Sequence, residues 1–420
     1  MKQIHIVIIL PVFGRLDAMN IVAFLRQHTP VNVSFTCLVI DNGNSPHLSN
    51  ELNKLSGADC QMIRLEKNLG GAGAFREGMQ RAAEMPCDFV WLLDDDVELN
   101  PQTLPGLLKE YVRLEAEGVR VGALGSIQLG MIHREIITSA GGQLCPYTGR
   151  YQSYYIGKTI DAIKSKTYPV RYMAATSLLT RPDVIREVGP FEPIFIHCDD
   201  WEWCCRVGRA GYQLFVTAAS TIHHPEIESK PIDWIVYYDV RNYLWSLQRH
   251  LPKTLPIARA LRRVQQCFYW MHGRKSIARL MALGFKHART SELLLRDELP
   301  WQPPKSITLE ALAQSYPRLT IITRTIEEAA QWEVRLQALP VKATLIPHRT
   351  TLPLPLDFLR LLALQMMAQL RYGLSQRAAF VMEHSCVKRS PFPFIAKMKV
   401  FYRETASGVE FFYEPKMKNF

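Results

Sequence analysis

The stretch Phe89-Val90-Trp91-Leu92-Leu93-Asp94-Asp95-Asp96 decides how this chain is interpreted. Five consecutive apolar residues predict a buried β-strand, and three carboxylates follow it without a spacer. Like charges this close raise one another's pKa unless a cation neutralises them. Because side chains alternate along an extended chain, Asp94 and Asp96 are expected on one side and Asp95 on the other. We therefore predict a site for a hard divalent ion, Mn²⁺ or Mg²⁺, with a solvated acidic turn as the alternative.

Predicted strands and helices alternate in the residues before this stretch, which is typical of βαβ units in an α/β fold. The strands are predicted at 4–10, 35–40, 61–65 and 89–93, and the helices at 17–27 and 73–84. Ligands of open α/β sheets bind outside the carboxyl ends of the strands. That rule places four polar or glycine-rich segments on one rim, namely 11–15, 41–44, 67–73 and 94–96.

A glycine-rich turn, Asn68-Leu69-Gly70-Gly71-Ala72-Gly73, follows the third predicted strand. Glycines let a ligand approach the backbone, and the helix predicted after them offers free N–H groups to an anion. The turn does not fit the dinucleotide fingerprint GxGxxG, because Arg76 stands where the third glycine would be. A phosphate loop of the GxxxxGKS/T type is also absent from the sequence. The turn is therefore a candidate phosphate-binding segment, and a simple tight turn is the alternative.

A second acidic constellation, Phe195-Ile196-His197-Cys198-Asp199-Asp200-Trp201-Glu202-Trp203, lies about a hundred residues further on. One of its three carboxylates is a candidate general base for an acceptor hydroxyl, so Asp199, Asp200 and Glu202 are candidate catalytic residues. Trp201 and Trp203 are candidates for flat contacts with a sugar ring. The alternative is that the acids are first-turn charges of a helix and the tryptophans belong to the core.

Two histidines and an arginine complete the candidate residues. His223 and His224 end a predicted strand at 214–222, and either is a candidate ligand for the same metal ion. Arg241, in Tyr237-Tyr238-Asp239-Val240-Arg241-Asn242, is a candidate partner for a diphosphate. The alternative is that Arg241 begins a basic helix.

The net charge of +11 comes from a single segment. No acidic residue occurs between Asp239 and Glu292, whereas eleven basic ones do: Arg241, Arg249, Lys253, Arg259, Arg262, Arg263, Arg274, Lys275, Arg279, Lys286 and Arg289. Phe268, Tyr269 and Trp270 are interleaved with them. Such a helical region is attracted to an anionic membrane surface, by about 1 kcal/mol per basic residue near the lipid. We predict that the membrane is a partner and that nucleic acid is not; a solvated helix pair is the alternative.

Cysteine usage and the first residues predict the compartment. The nine cysteines are scattered without CxxC spacing, which is typical of a reducing environment. The apolar run after Met1 is too short for a signal peptide and is interpreted as the first strand. A cytoplasmic protein, peripheral on the inner face of the cytoplasmic membrane, is expected.

Three segments are predicted along the chain: a catalytic α/β domain at 1–250, a basic helical segment at 251–299 and a small α/β accessory domain at 300–420. A linker is expected at 300–304. The last segment is predicted to contain strands at 318–323 and 341–346, helices at 326–339 and 357–382, and a closing hairpin of 399–403 with 409–413.

Taken in order, these motifs resemble the family 2 glycosyltransferases of the GT-A fold, a Rossmann-like nucleotide-diphospho-sugar transferase fold. The resemblance covers roughly residues 1–250. Within that family the chain looks most like the bacterial galactofuranosyltransferases, whose GGxG turn, triple-Asp motif and F-I-x-x-D-D-x-E segment are close to 70–73, 94–96 and 195–202. Rhamnosyltransferases of the family share most of these features. One difference is Ala174-Ala175, where galactofuranosyltransferases tend to carry bulky tryptophans.

The resemblance implies a role for each matched residue. Asp200 becomes the catalytic base, with Asp199 and Glu202 beside it. Asp94 and Asp96 contact donor and metal, and His224 is the third metal ligand with His223 in reserve. Asp41 contacts the base of the donor, and the remaining donor-binding candidates are Pro11, Arg15, Asn68, Gly70, Gly71, Asp95 and Arg241.

The expected function is an inverting, metal-dependent transfer of galactofuranose from UDP-galactofuranose to a lipid-linked or surface polysaccharide, such as the O-antigen of lipopolysaccharide. A rhamnosyltransferase or another family 2 hexosyltransferase is the alternative. A nucleotidyltransferase would need a basic glycine-rich segment directly after the first strand, which 11–15 does not supply. The alternative outside catalysis is a glycan-binding scaffold with an inactive GT-A fold.

Overall fold

The computed structural model describes residues 3–225, 234–271, 274–301, 305–315, 318–323, 326–337, 339, 342–347, 378–383, 399–405 and 408–413. The chain divides into two compact units. The first comprises Met1–Lys230, Tyr238–Ala258 and Gly284–Glu298, and the second comprises Pro231–Tyr237, Arg259–Leu283 and Leu299–Phe420.

The first unit is built around a mixed β-sheet. Its strands are β1 (Ile4–Val12), β2 (Val33–Asp41), β3 (Cys60–Arg64), β4 (Phe89–Leu93), β5 (Val121–Gly130), β6 (Ile137–Ser139), β7 (Gly142–Leu144), β8 (Tyr151–Ser153), β9 (Thr167–Val170), β10 (Ser177–Thr180) and β11 (Gln213–His224). Among the described residues the order is β3-β2-β1-β4-β10-β5-β11-β9, with β6 paired to β5. The strands β7 and β8 form a separate antiparallel pair.

Helices cover both faces of this sheet. They are α1 (Ala18–His28), α2 (Pro46–Asn53), α3 (Gly70–Glu84), α4 (Thr103–Ala116), α5 (Pro182–Val188), α6 (Asp199–Arg209) and α7 (Ile235–His250). The apolar side chains of α1 and α4 pack on one face, and those of α3, α5 and α6 on the other. The sheet is therefore buried on both sides, as continuous apolar strands require.

The parallel part of the sheet positions the candidate site. β1 pairs in parallel with β2 and β4, and β2 pairs in parallel with β3. Val12 lies opposite Asp41, and Asp41 lies opposite Arg64. The carboxyl ends of these strands therefore meet at one edge, where the segment after β4 begins with Asp94. The predicted α/β class and the strand positions of this half are confirmed.

The second unit contains its own mixed sheet. Its strands are β12 (Lys305–Ile307), β13 (Arg318–Thr323), β14 (Lys342–Pro347), β15 (Ala378–Glu383), β16 (Lys399–Thr405) and β17 (Gly408–Tyr413), and its helices include α10 (Leu309–Ser315) and α11 (Ile326–Leu336). The order in the described part is β12-β17-β16-β15-β13-β14. Thr405 pairs with Gly408, which confirms the predicted hairpin.

One element of the second unit differs from the prediction. A helix was expected to run to residue 382, but Ala378–Glu383 is a strand that pairs in parallel with β13 and β16. A short apolar run fits a buried strand as well as a helix, so the pattern alone did not separate them. Residues 357–377 of that prediction and 302–304 of the predicted linker lie outside the described residues. The predicted domain boundaries stay predictions.

The basic segment forms two helices, α8 (Leu255–Met271) and α9 (Lys275–Thr290). Among the helices that the structure describes, none is long and apolar enough to cross a membrane.

Candidate active site

The acids after β4 meet a histidine from the end of β11. One ligand atom each from Asp94, Asp96 and His224 forms a group in which all atoms lie within 4.8 Å of one another. His224 Nε2 is 3.2 Å from Asp96 Oδ1. Two carboxylates and an imidazole suit Mn²⁺ or Mg²⁺, with positions left for phosphate oxygens. The donor set therefore fits the predicted metal ion.

The two adjacent histidines point to different neighbours. The backbone of His223 pairs with Glu98, with N···O distances of 2.9 and 3.0 Å. Its ring lies beside Arg134, with His223 Nε2 at 3.2 Å from the Arg134 carbonyl oxygen. The alternation of side chains along β11 puts His224, which is buried, on the opposite side. The structure thus brings His224 and not His223 to the acids.

Arg15 pairs with two acids of the triplet. Its Nη1 lies 3.1 Å from Asp96 Oδ2, and its Nε lies 3.6 Å from Asp95 Oδ1. Burial and the like charges of Asp94 and Asp96 raise the pKa of Asp95 to about 7, against the opposing effect of Arg15. Asp95 is buried, as its predicted opposite orientation implies. Its carboxylate pairs with Arg15 inside the fold, and its predicted contact with the donor stays a prediction.

Asn44 fixes the loops that follow β1 and β2. Asn44 Nδ2 donates to the Val12 carbonyl (2.9 Å) and to Asp41 Oδ1 (2.8 Å), and Asn44 Oδ1 accepts from the Gly14 N–H (2.7 Å). Asp41 is buried, and its Oδ2 is 3.8 Å from Arg64 Nε. The predicted donor contact Asp41 thus also anchors the first loop, whereas Pro11 lies inside β1 opposite Ile40.

Hydrogen bonds from the backbone to two asparagine side chains hold the glycine-rich turn in place. Asn42 Oδ1 accepts from the Leu69 N–H (2.9 Å), and Asn68 Oδ1 accepts from the Gly70 N–H (2.8 Å). Gly70 has a φ of +72°, and Gly71 has open space where a Cβ would stand. The turn therefore sits at the predicted rim, with Gly71 free to approach a ligand.

The loop before the second acidic pair has an unusual backbone. Phe195, His197 and Cys198 have φ values of 71°, 64° and 68°, which non-glycine residues rarely adopt. Asn242 holds this loop, since its Nδ2 donates to the carbonyls of Ile194 (2.8 Å), Ile196 (2.7 Å) and His197 (3.1 Å). Such strain persists only where surrounding contacts impose it, and it is frequent at active sites.

Two further residues of α7 contact the same loop. Tyr238 stacks on Phe195 with ring centroids 4.8 Å apart. His197 Nδ1 lies 2.6 Å from Asp239 Oδ1. Burial alone would lower the pKa of His197, but the charge and hydrogen bond of Asp239 raise it. His197 and Asp239 thus form a pair next to the acids that follow.

Asp199 and Asp200 begin α6 as predicted. Asp200 Oδ1 accepts from the Trp201 N–H at 2.6 Å. Burial, followed by the like charge of Asp199, raises the pKa of Asp200 to about 8. The charge of Asp94 also contributes to this shift, so the second pair lies within electrostatic reach of the first acids. A carboxylate with a raised pKa is suited to accept a proton near neutral pH.

Glu202 is a structural residue, and its predicted catalytic role is wrong. Its side chain is 1% exposed and pairs with Arg206 Nη2 (2.8 Å) and His250 Nε2 (2.9 Å). Burial alone would raise the pKa of Glu202, but the hydrogen bonds and charges of His250 and Arg206 lower it. A carboxylate committed to an arginine and a histidine in the core has no access to substrate.

The two tryptophans do not present faces to a sugar, so their predicted acceptor contacts are wrong. Trp201 and Trp203 are both 0% exposed. Trp203 Nε1 donates to the Gly189 carbonyl at 2.9 Å, and Trp201 packs against Tyr151 and His250.

The side chain of Arg241 is not placed for the diphosphate contact that was predicted for it. It is 3% exposed and donates to the carbonyls of Ser291 (3.0 Å) and Glu292 (2.9 Å). A buried guanidinium bonded to backbone carbonyls is not positioned to bind a diphosphate. The prediction missed its neighbour Asn242, although a polar residue on the buried face of a helix is a signal that it bonds to other backbone segments.

Comparisons with known proteins find similar sequences and structures. Residues 8–175 match the family model of Glycosyl transferase family 2. Galactofuranosyltransferase GlfT2 of Mycobacterium tuberculosis is 24% identical over 195 residues, which are 43% of this chain and 31% of that protein. GlfT2 of Mycolicibacterium smegmatis is 24% identical over 257 residues, which are 56% of this chain and 39% of that protein. The chain thus spans about a third of the length of these relatives.

Two solved structures resemble part of this chain. One is GalNAc-T7 with UDP, GalNAc and Mn²⁺, at 16% identity and a TM-score of 0.46, covering 59% of this chain and 48% of the other. Another is the mannosyltransferase PcManGT from Pyrobaculum calidifontis in complex with GDP-Man and Mn²⁺. That similarity has 11% identity and a TM-score of 0.41, and covers 71% of this chain and 78% of the other.

Proposed function

Because the chain carries a glycosyl transferase family 2 domain over residues 8–175, we propose that it transfers a sugar from a nucleotide-diphosphate donor to a carbohydrate acceptor. The observation that carries the proposal is the group of Asp94, Asp96 and His224, which the carboxyl ends of β4 and β11 bring together. Asp200 lies within electrostatic reach of it. Such a transfer needs carboxylates at two places, one set for the donor and its metal ion and one for the acceptor hydroxyl.

The first site binds the donor. Asp94, Asp96 and His224 would hold a Mn²⁺ or Mg²⁺ ion, which when bound supplies positive charge to the departing diphosphate. Arg15 contributes a second cation at Asp96. A cleft of about 520 Å³ lies beside Asp96 and is lined in part by Arg15. Its position supports Arg15 as a donor-binding residue.

The second site prepares the acceptor. Asp200 takes the proton from the acceptor hydroxyl, which then attacks the sugar from the face opposite the leaving group. One displacement of this kind inverts the anomeric configuration and needs no covalent sugar–enzyme intermediate. Asp199 raises the basicity of Asp200 through its like charge, and Asn242 holds the loop that aims both.

The donor is proposed to be UDP-galactofuranose. Support comes from the two relatives named galactofuranosyltransferase, which match 43% and 56% of this chain. The difference at Ala174-Ala175 keeps a rhamnosyltransferase or another hexosyltransferase as the second candidate. A transfer assay with UDP-galactofuranose, UDP-galactose, UDP-glucose and dTDP-rhamnose separates these donors.

The acceptor is proposed to be a lipid-linked or surface glycan that the protein meets at an anionic membrane. The exposed face of α9 carries Lys275, Arg279, Lys286 and Arg289, at intervals that place them on one stripe of the helix. On α8, Ile257, Leu261 and Val264 are 49%, 44% and 53% exposed. Basic and apolar side chains exposed in this way favour the surface of an anionic bilayer.

The transfer is tested with Asp96→Ala and Asp200→Asn in the presence of Mn²⁺. Both variants are expected to lose transfer, and near-wild-type rates in both would overturn the mechanism. Calorimetry with UDP and Mn²⁺ distinguishes the glycan-binding scaffold, because a scaffold with an inactive site should show no metal-dependent UDP binding.

A further inference from the structure

A second cavity lies in the first unit, in a region that the mechanism above does not use. Its volume is about 670 Å³, within the range of sites that enclose small ligands. Its walls come from the β7 segment, from β9, from the second half of α6, from the start of β11 and from the end of α7. It is therefore built by five elements of one compact unit.

The lining favours a ligand with hydroxyl groups and no positive charge. No Asp or Glu occurs among the described residues that line the cavity, whereas Arg171 and Arg209 do, together with Gln143 and Tyr154. Arg171 is exposed, and its guanidinium makes no hydrogen bond or ion pair with the part of the chain that the structure describes. Guanidinium and amide donors beside apolar and aromatic surfaces are a suitable lining for a sugar.

A buried histidine in the wall adds a second observation. The His250 side chain is 5% exposed, and its Nε2 is 2.9 Å from Glu202 Oε1. Because Glu202 is an acceptor, Nε2 carries a proton, and in neutral His250 the other nitrogen, Nδ1, is an acceptor. Among the described residues Nδ1 has no partner. An unpaired buried acceptor on a residue of the cavity wall is costly.

The cavity begins close to the candidate base. Cys204 lines it and lies four residues after Asp200 on α6, which is about 6 Å along a helix axis. Arg209 lies nine residues after Asp200, about 14 Å along the axis. Tyr172, which follows the lining residue Arg171, interacts electrostatically with Asp200. When the terminal hydroxyl of an acceptor glycan reaches Asp200, the cavity is therefore only a few sugar residues away.

We propose that this cavity is an acceptor subsite, which holds the sugar residues of an acceptor glycan behind the one that presents its hydroxyl to Asp200. The inference rests on the proposed function, because it needs a carbohydrate acceptor. It also replaces the acceptor contacts expected from Trp201 and Trp203, which are buried.

Gly208 provides a selective way to block the subsite. It lines the cavity, and a Cβ added to it meets nothing within 4 Å. Gly208→Leu therefore adds a bulky side chain at the cavity wall without displacing backbone, and leucine favours the helix more than glycine does. Gly208→Ala adds a single carbon and should have a much smaller effect. Arg171→Ala removes the exposed guanidinium, and Lys164→Ala is the control because Lys164 is exposed and outside the lining.

The experiment measures KM for alkyl glycosides of one, two, three and four sugar residues, with the donor selected by the transfer assay. Wild-type protein and Lys164→Ala should show a KM that falls about tenfold from the shortest to the longest acceptor. Gly208→Leu and Arg171→Ala should each lose that dependence, since one charged hydrogen bond or one displaced sugar is worth about this factor. Metal-dependent UDP affinity should stay unchanged in all variants, which shows that they are folded.

Two outcomes would overturn the inference alone: a wild-type KM independent of acceptor length, or a length dependence that survives in Gly208→Leu. In both, UDP and Mn²⁺ still bind and sugar is still transferred. Absence of metal-dependent UDP binding and of transfer in the wild-type protein would instead overturn the proposed function, and the subsite with it.

Discussion

Gly70 and Phe195 meet so closely that the carbonyl oxygen of Phe195 occupies the space that a Cβ at position 70 would need. The same carbonyl accepts a 3.0 Å hydrogen bond from the Ala72 N–H. The turn after β3 is thereby joined to the strained loop in front of Asp199 and Asp200. In our proposal one half of the candidate site binds the donor and the other binds the acceptor. The contact between the turn and Phe195 joins these two halves.

Gly70→Ala is therefore expected to destabilise the protein and to reduce transfer. A positive φ and a clash with backbone together cost about 2–4 kcal/mol of unfolding free energy. Thermal unfolding and the rate of transfer are the measurements. Gly71→Ala is the matched control for thermal unfolding, because a Cβ there meets nothing within 4 Å. Equal melting temperatures for the two variants would contradict the packing described.

His224→Ala is expected to reduce metal-dependent transfer by about 100-fold or more, because it removes one of three protein ligands. His223→Ala, one residue away on the other side of β11, should change it little. Titration of the transfer rate with Mn²⁺ makes the comparison. If His223→Ala were the more damaging variant, the assignment of the third ligand would be reversed.

Asp200→Asn is expected to lower transfer by about 10²–10⁴-fold, because it removes the general base. It should also change how stability depends on pH. Burial and Asp199 raise the pKa of Asp200 from 3.8 to about 8, so the folded state binds this proton more tightly than the unfolded chain does. Wild-type stability is therefore lost as pH rises between about 4 and 8, and Asn avoids that loss.

The melting temperature of Asp200→Asn relative to wild type should accordingly be higher at pH 9 than at pH 5. Asp161→Asn, a change at an exposed acid, serves as the control and should show no such difference. A gap that shrinks toward pH 9 would mean that Asp200 is stabilised as a carboxylate in the fold.

Glu202→Ala is expected to cost about 3 kcal/mol of unfolding free energy, because it leaves Arg206 and His250 without their buried partner. The matched control is Glu77→Ala, which breaks an exposed pair with Arg81 at the same i,i+4 spacing. That change should cost no more than about 0.5 kcal/mol. Chemical denaturation measures both. A Glu202→Ala protein of normal stability but without transfer would restore the catalytic role to Glu202.

Reversing charge on the exposed stripe of α9 tests the proposed membrane contact. Lys275→Glu combined with Arg279→Glu should weaken binding to phosphatidylserine-containing vesicles at low salt by at least about tenfold. Lys158→Glu combined with Lys164→Glu changes the same number of exposed charges elsewhere and should have a smaller effect. If wild-type protein does not bind such vesicles, the stripe has no role at a membrane.

Much of the first unit could be predicted because its signals are local. The run Phe89–Leu93 fixes a buried strand, and alternation along the chain places Asp94 and Asp96 together and Asp95 inward. The rule for parallel sheets then gathers the loops after β1, β2 and β4 at one edge. Neighbouring residues and backbone geometry are sufficient for each of these steps.

Side-chain surroundings were decided by packing between distant segments. His224, and not His223, lies at the acids because of the way β11 pairs with β5. The packing of α6 against α7 helps to bury Trp201 and pairs Glu202 with His250. A sequence shows that a carboxylate or an indole is present, but exposure depends on which face another element covers. The acids of the site followed from the sequence alone, whereas their partners, and the residues excluded from it, followed from the tertiary structure.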